Sequence, residues 1–279
     1  MNVARNGLVR LHWEQVAGTP DDPTLLLVNG LGNQCIAHRT GLCEILAGVG
    51  FRVIRFDNRD VGLSDDGPEG YGLSDMAADA IAVLDAAEAD TAMVMGSSLG
   101  GMIVQTMAIE HPHRVSAAVS VMSTTGDPDV GRPSDEARRL LLTPGATDRE
   151  AAIEAHLAGQ RVWGSPGLVE WDEQRRLAGE MFDRACRPDG VARQYRAARR
   201  DGSRTDRLRG VRVPMMVIHG TADTLIDHSG GVRTAEVVPG AELVTIEGMG
   251  HDLPSALWSR LADELRRFAV QCGVLGGTS

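Results

Sequence analysis

Aromatic side chains make up only 4% of this 279-residue chain. Any binding pocket is therefore expected to be lined by aliphatic residues and by some of the 11 methionines. Cysteine is scarce too: Cys35, Cys43, Cys186 and Cys272 are the four present. Their spacing fits neither a zinc site nor a C-x-x-C redox pair. Reduced, mostly packed thiols are the expectation, with no metal. No block of lysine or arginine stands out, and the net charge is −10. No nucleic-acid partner is expected on that ground. The acidity favours solubility and names no substrate. No apolar run approaches the roughly 20 residues of a membrane span. Met1–Arg10 lacks the basic, then apolar, then small pattern of a secretion signal. No membrane partner and a cytoplasmic location are expected. Internal repeats and long low-complexity tracts are absent. Monomer and homodimer both stay open.

What is present is enough apolar residue, 43% of the chain, for one sizeable core. Val9–Val16, Thr24–Asn29, Arg52–Phe56, Val115–Val121, Met215–Ile218 and Leu243–Ile246 read as strands. Several are solid apolar runs, such as Leu25-Leu26-Leu27-Val28, which suits a strand buried on both faces. Between them, Cys35–Gly48, Leu73–Ala89, Gly101–Glu110, Gly231–Val238 and Ser255–Val270 carry helical patterns, with Ser74 as N-cap of the second. The alternation predicts an α/β fold, a mostly parallel central sheet flanked by helices. Residues 124–212 break the rhythm. They hold three helical stretches, Asp148–Val162, Leu168–Cys186 and Val191–Arg200, with no convincing strand. A helical cap over 124–212, inserted in a core of 1–123 and 213–279, is the expected organisation. Gly273–Ser279 reads as a frayed tail.

Gly96-Ser97-Ser98-Leu99-Gly100 has the pattern G-x-S-x-G. An apolar run, Thr91–Met95, leads in and a helical run leads out, which is the context of a nucleophile elbow. Small residues are needed two positions either side because main chains approach too closely for side chains. A serine at the centre projects its hydroxyl above the sheet edge, beside a helix N-terminus. The plain alternative is an N-cap serine. Ser97 lacks flanking glycines in register and reads as a neighbour that packs or hydrogen-bonds near the site.

A serine hydroxyl is a weak nucleophile until a base takes its proton. The base is normally histidine, held by a carboxylate. Asp223 lies four residues after His219, on the turn leaving one strand. His251 lies in Gly248-Met249-Gly250-His251-Asp252, on the loop leaving the next. Both sit at carboxyl ends of adjacent strands, where sites of open α/β sheets form. Asp227 and Asp127 compete with Asp223, and Asp252 is expected to face away. His219 reads as structural, and His156 as able to reach the cavity. An oxyanion needs main-chain N–H donors. Leu99 supplies one, and Leu31, in Asn29-Gly30-Leu31-Gly32-Asn33, is chosen for the other. Asn29, His38, Met102 and Trp163 are the candidate pocket residues. Arg175, Arg176, Arg199 and Arg200 read as a solvated helix face.

The Asn29–Gly32 segment, Phe56-Asp57-Asn58-Arg59-Asp60-Val61-Gly62-Leu63-Ser64, the Ser98 elbow, His219–Asp223 and Gly248–His251 together resemble the α/β-hydrolase superfamily over nearly the whole chain. The closing Gly248–Pro254 stretch and the Asp57–Ser64 loop look most like the branch of polyketide methylesterases that includes aclacinomycin methylesterase. The resemblance implies a serine esterase with a Ser98, Asp223, His251 triad, an acyl-enzyme, a small-molecule ester as substrate and no cofactor. It equally admits a lactone or carbon–carbon bond hydrolase, or a perhydrolase, using the same triad. A weakly catalytic ligand-binding protein on the same fold is the alternative from another class. Two positions depart from the pattern. Asn29 stands where many relatives have histidine, and Asp60 stands where glycine is common.

Overall fold

The computed structural model describes residues 2–276. Eight strands among the described residues form one sheet: β1 (Asn2–Asn6), β2 (Val9–Ala17), β3 (Thr24–Val28), β4 (Arg52–Phe56), β5 (Ala92–Ser97), β6 (Val115–Val121), β7 (Met215–Gly220) and β8 (Glu242–Ile246). Their order is β1-β2-β4-β3-β5-β6-β7-β8. The pairs β1/β2 and β2/β4 are antiparallel and the others are parallel. The core helices are α1 (Thr40–Gly48), α2 (Leu73–Ala86), α3 (Leu99–Glu110), α9 (Ser229–Val237) and α10 (Trp258–Gln271). Between β6 and β7 lie α4 (Asp135–Leu141), α5 (Arg149–Trp163), α6 (Trp171–Arg184), α7 (Pro188–Asp201) and α8 (Thr205–Leu208). No helix among the described residues is long and apolar enough to cross a membrane.

The solid apolar strands are explained by their two faces. In β3, Leu26 and Val28 join the core under α2 and α3, while Leu25 and Leu27 join the one under α1 and α10. All four are fully buried. Each such side chain stabilises by about 1.5–3 kcal/mol.

Several local expectations are corrected. β1 is a strand that the sequence pattern does not predict; its only signal is the two-residue turn to β2, where Gly7 holds φ +58°. The N-cap of α2 is Gly72, not Ser74. The Asp75 carboxylate accepts from Gly72 N–H (2.8 Å), and the Ser74 hydroxyl instead donates to Glu110 on α3. Cys35–Gly48 is broken: a short turn at Cys35–Ala37 is separated from α1 by His38 and Arg39, whose backbones are non-helical. The arginine ion-pairs with Glu173 and Glu180 of α6. Helices α4 and α8 have no counterpart among the helical stretches expected from the sequence; Ser134 caps α4 by accepting from Ala137 N–H (3.1 Å). The tail is not loose as far as it is described. Leu275 is buried in the core and Val274 N–H donates to Ala269. Residues 277–279 lie outside the described residues.

One buried ion pair holds the loop after β4 in place. Arg59 donates to Asp79 of α2 through Nε (2.6 Å) and Nη2 (2.7 Å), and Asn6 Nδ2 also donates to Asp79 (2.9 Å). The side chains are 3% and 1% exposed, so neither charge has water to fall back on. Removing one partner of such a pair strands the other. Asp79→Ala is expected to cost about 3–5 kcal/mol, read as a lowered urea midpoint in equilibrium unfolding.

Candidate active site

Strand β5 delivers Ser98 in a strained conformation, φ +57° and ψ −118°, immediately before α3. A non-glycine residue there is held by its surroundings. Ser98 N–H donates to Val121 O (2.9 Å), and the Ser98 carbonyl accepts from Gly101 N–H (2.9 Å) and the Ser123 hydroxyl (2.7 Å). The flanking glycines are sterically required. A Cβ at Gly96 would overlap the Gly100 carbonyl, and one at Gly100 would overlap the Val28 carbonyl. The Ser97 hydroxyl is buried with no hydrogen-bond partner among the described residues.

At the ends of β7 and β8, His251 Nδ1 lies 2.7 Å from Asp223 Oδ2. Asp223 Oδ1 accepts from Leu225 and Ile226 N–H, both at 2.9 Å. His219 Nε2 lies 2.8 Å from Ile226 O and 3.3 Å from Asp223 Oδ2. A carbonyl partner requires Nε2 to be the protonated nitrogen, so His219 is a donor fixed beside the carboxylate. Burial on its own would raise the Asp223 pKa. The charge of His251 and the hydrogen bonds from both histidines outweigh it and hold the carboxyl well below the usual range. Neither competing acid reaches His251. Asp227 is exposed and accepts from Ser229 N–H (3.0 Å). Asp127 is taken up by Thr125, Ser203, Thr205 and Arg233.

The His251 loop is seated on the end of α5. His251 N–H donates to Trp163 O (2.5 Å), and Gly250 N–H to the Ser165 hydroxyl (2.9 Å). Asp252 turns away from the histidine ring and accepts from Ser165 N–H (2.9 Å) and its hydroxyl. A Cβ at Gly250 would overlap the Trp163 carbonyl, so this position needs glycine for a close approach.

Ser98 and His251 open on one cavity of about 670 Å³. Leu31, Leu99, Met102 and Trp163 line it as well. Among the described residues no hydrogen bond joins Ser98 Oγ to His251 Nε2. In substrate-free sites such contacts are commonly loose and tighten on binding. The amides of the Asn29–Asn33 loop are not equivalent. Gly32 N–H is taken by Gln194 (3.0 Å) and Asn33 N–H by Gly30 O (3.2 Å). Leu31 N–H has no such partner among the described residues. Leu99 is the first residue of α3, where the N–H has no intrahelical acceptor. Both amides are thus free to bind an oxygen.

Two expected pocket residues are elsewhere. His38 is not in the cavity wall; it is buried where Arg55 Nη1 donates to its carbonyl (2.6 Å). Burial and the Arg55 charge push its imidazole down to about 3, so it stays neutral. Asn29 is 2% exposed behind the loop, and its carbonyl accepts from Asn58 (3.0 Å). Asp60 takes φ +75°, which is why glycine suits that position; its carboxylate accepts from Gly67 N–H (2.9 Å) and Arg193 (2.6 Å). Of the four arginines read as a solvated face, Arg199 lines the cavity. Gln160 and Tyr195 line it too, as does His156, whose Nε2 meets Gln174 (2.8 Å). Gln160 and Tyr195 carried no sequence signal, since only the packing of α5 and α7 turns them inward.

The chain belongs to the α/β-hydrolase fold family, whose model matches residues 23–254. Within it, the chain is 30% identical over 274 residues to a rhodomycin D methylesterase from Streptomyces sp. (strain C5), covering 90% of this chain and 92% of that one. It is 31% identical, with the same coverage, to the rhodomycin D methylesterase of Streptomyces peucetius. In fold it is similar to the esterase RhEst1 from Rhodococcus sp. ECU1013, with a TM-score of 0.81, 24% identity, and coverage of 98% of this chain and 100% of that one.

Proposed function

We propose that the protein hydrolyses a carboxylic ester with Ser98 as nucleophile, His251 as base and Asp223 as its partner. The observation that carries this is the Asp223–His251 pair at 2.7 Å, its imidazole sharing one cavity with the elbow serine. His251 Nε2 takes the Ser98 proton as Oγ attacks the ester carbonyl. The carbonyl oxygen becomes an oxyanion held by Leu31 and Leu99 N–H. Collapse breaks the carbon–oxygen bond, and the alcohol leaves with the proton from His251. Water, deprotonated by His251, then attacks the acyl-enzyme. The second tetrahedral adduct releases the acid and returns the proton to Ser98. Asp223 accepts from Nδ1–H, which leaves Nε2 free to act as base and stabilises the imidazolium.

The similarity to two methylesterases favours a methyl ester, with methanol as the leaving alcohol. A cavity of about 670 Å³ accommodates a bulky acyl group. The test is a panel of methyl esters of ring acids, simple aryl esters, lactones and 1,3-diketones, with acid and alcohol products quantified. Methanol release from the ring esters, absent from the Ser98→Ala blank, is the expected result. Turnover confined to lactones or diketones would overturn the ester assignment.

A further inference from the structure

Helix α7, in the segment inserted between β6 and β7, lies on the loop that carries Leu31. Among the described residues its one hydrogen bond to that loop comes from a single buried amide. Gln194 is fully buried, and both ends of its side chain are engaged. Oε1 accepts from Gly32 N–H (3.0 Å), and Nε2 donates to the Arg59 carbonyl (2.7 Å). One side chain thus ties the Asn29–Asn33 loop to the Asp57–Ser64 loop. Neighbouring residues hold α7 at that distance. Gly190 sits so close to the Asp60 carbonyl that a Cβ would overlap it. The Val191 methyls stand against Gly32, where the backbone has φ +72°. Arg193 reaches the Asp60 carboxylate at 2.6 Å.

We infer that Gln194 is a positioning residue that sets the Leu31 N–H for the oxyanion. It does so through Gly32, the next residue in the chain. Gln194 fixes the Leu31–Gly32 peptide, so Gly32 cannot turn its own N–H to the cavity. It also braces the turn in which Asn33 N–H holds the Gly30 carbonyl (3.2 Å), the carbonyl that shares a peptide plane with Leu31 N–H. A loop with glycines at 30 and 32 has little intrinsic preference for one orientation. Gln194 does not line the cavity. Its loss therefore acts on the transition state, where the oxyanion forms, and leaves ground-state binding of the ester largely as it was.

This inference rests on the proposed Ser98 chemistry, and the two can fail separately. Gln194→Met keeps the side-chain length and removes both hydrogen bonds. It is expected to lower kcat by about 10- to 100-fold with KM within about threefold. Affinity for an aryl trifluoromethyl ketone, which forms a tetrahedral adduct on a serine, should fall in step with kcat. Affinity for the acid product should not change. Unchanged kcat and unchanged ketone affinity in folded Gln194→Met would overturn the inference. If that variant does not fold, Gln194→Asn, one methylene too short to span both partners, decides: kcat down about three- to tenfold at constant KM supports the positioning role, and an unchanged kcat overturns it. Should Ser98→Ala retain wild-type turnover, the underlying ester chemistry fails instead.

Discussion

Ser98→Ala is expected to lower kcat by about 10⁵- to 10⁶-fold, the scale seen when a serine nucleophile is deleted from a triad that acts as one unit. On the proposed mechanism, the residual rate is what the Leu31 and Leu99 donors and substrate binding supply without a nucleophile. Folding should be spared. The Ser98 hydroxyl makes no hydrogen bond among the described residues; the bonds that hold the turn use its backbone N–H and carbonyl. Alanine keeps those and fits the same space. The check pairs steady-state kinetics with a melting curve. Loss of activity with Tm within about 2 °C of wild type separates a chemical role from a structural one.

Asp223→Asn is expected to cost about 10⁴-fold in kcat while leaving the geometry in place. The backbone N–H groups of Leu225 and Ile226 still have an amide oxygen to meet. The other end of the asparagine then presents N–H to His251 Nδ1, which forces the ring proton onto Nε2. A protonated Nε2 cannot take the serine proton. Asp227→Asn, at an exposed position, should change kcat by less than about twofold. The same carboxyl has a signature in stability. Its folded pKa is depressed, so its contribution is fully present above the unfolded value of about 4. The contribution is lost as pH falls through the lower folded value. Asp223→Asn should flatten that part of the acid unfolding curve.

Backbone-level features were readable in the chain because they are local. Leu25–Val28 is apolar at every position because both faces of β3 are covered, and that continuity is visible without a structure. The glycines at 96 and 100 mark an approach too close for a Cβ, and Asp223 and His251 each follow a strand by a short turn. Side-chain direction was less readable. His38 and Asn29 adjoin the Leu31 loop in sequence, yet Arg55 fixes the peptide of one and Asn58 that of the other, and both are buried outside the cavity. Gln194, on an amphipathic helix, looks like any other polar residue. Its use depends on which loop α7 meets, and only tertiary packing decides that.

The most direct test of Ser98 as the nucleophile is to label the folded protein with a fluorophosphonate and map the adduct by peptide mass spectrometry. The wild type should carry one adduct, on the peptide containing Ser98. His251→Ala should label at least about 10³-fold more slowly, since its serine has lost the base. An adduct on another residue, or a folded wild-type protein that takes no label, would contradict the assignment of Ser98.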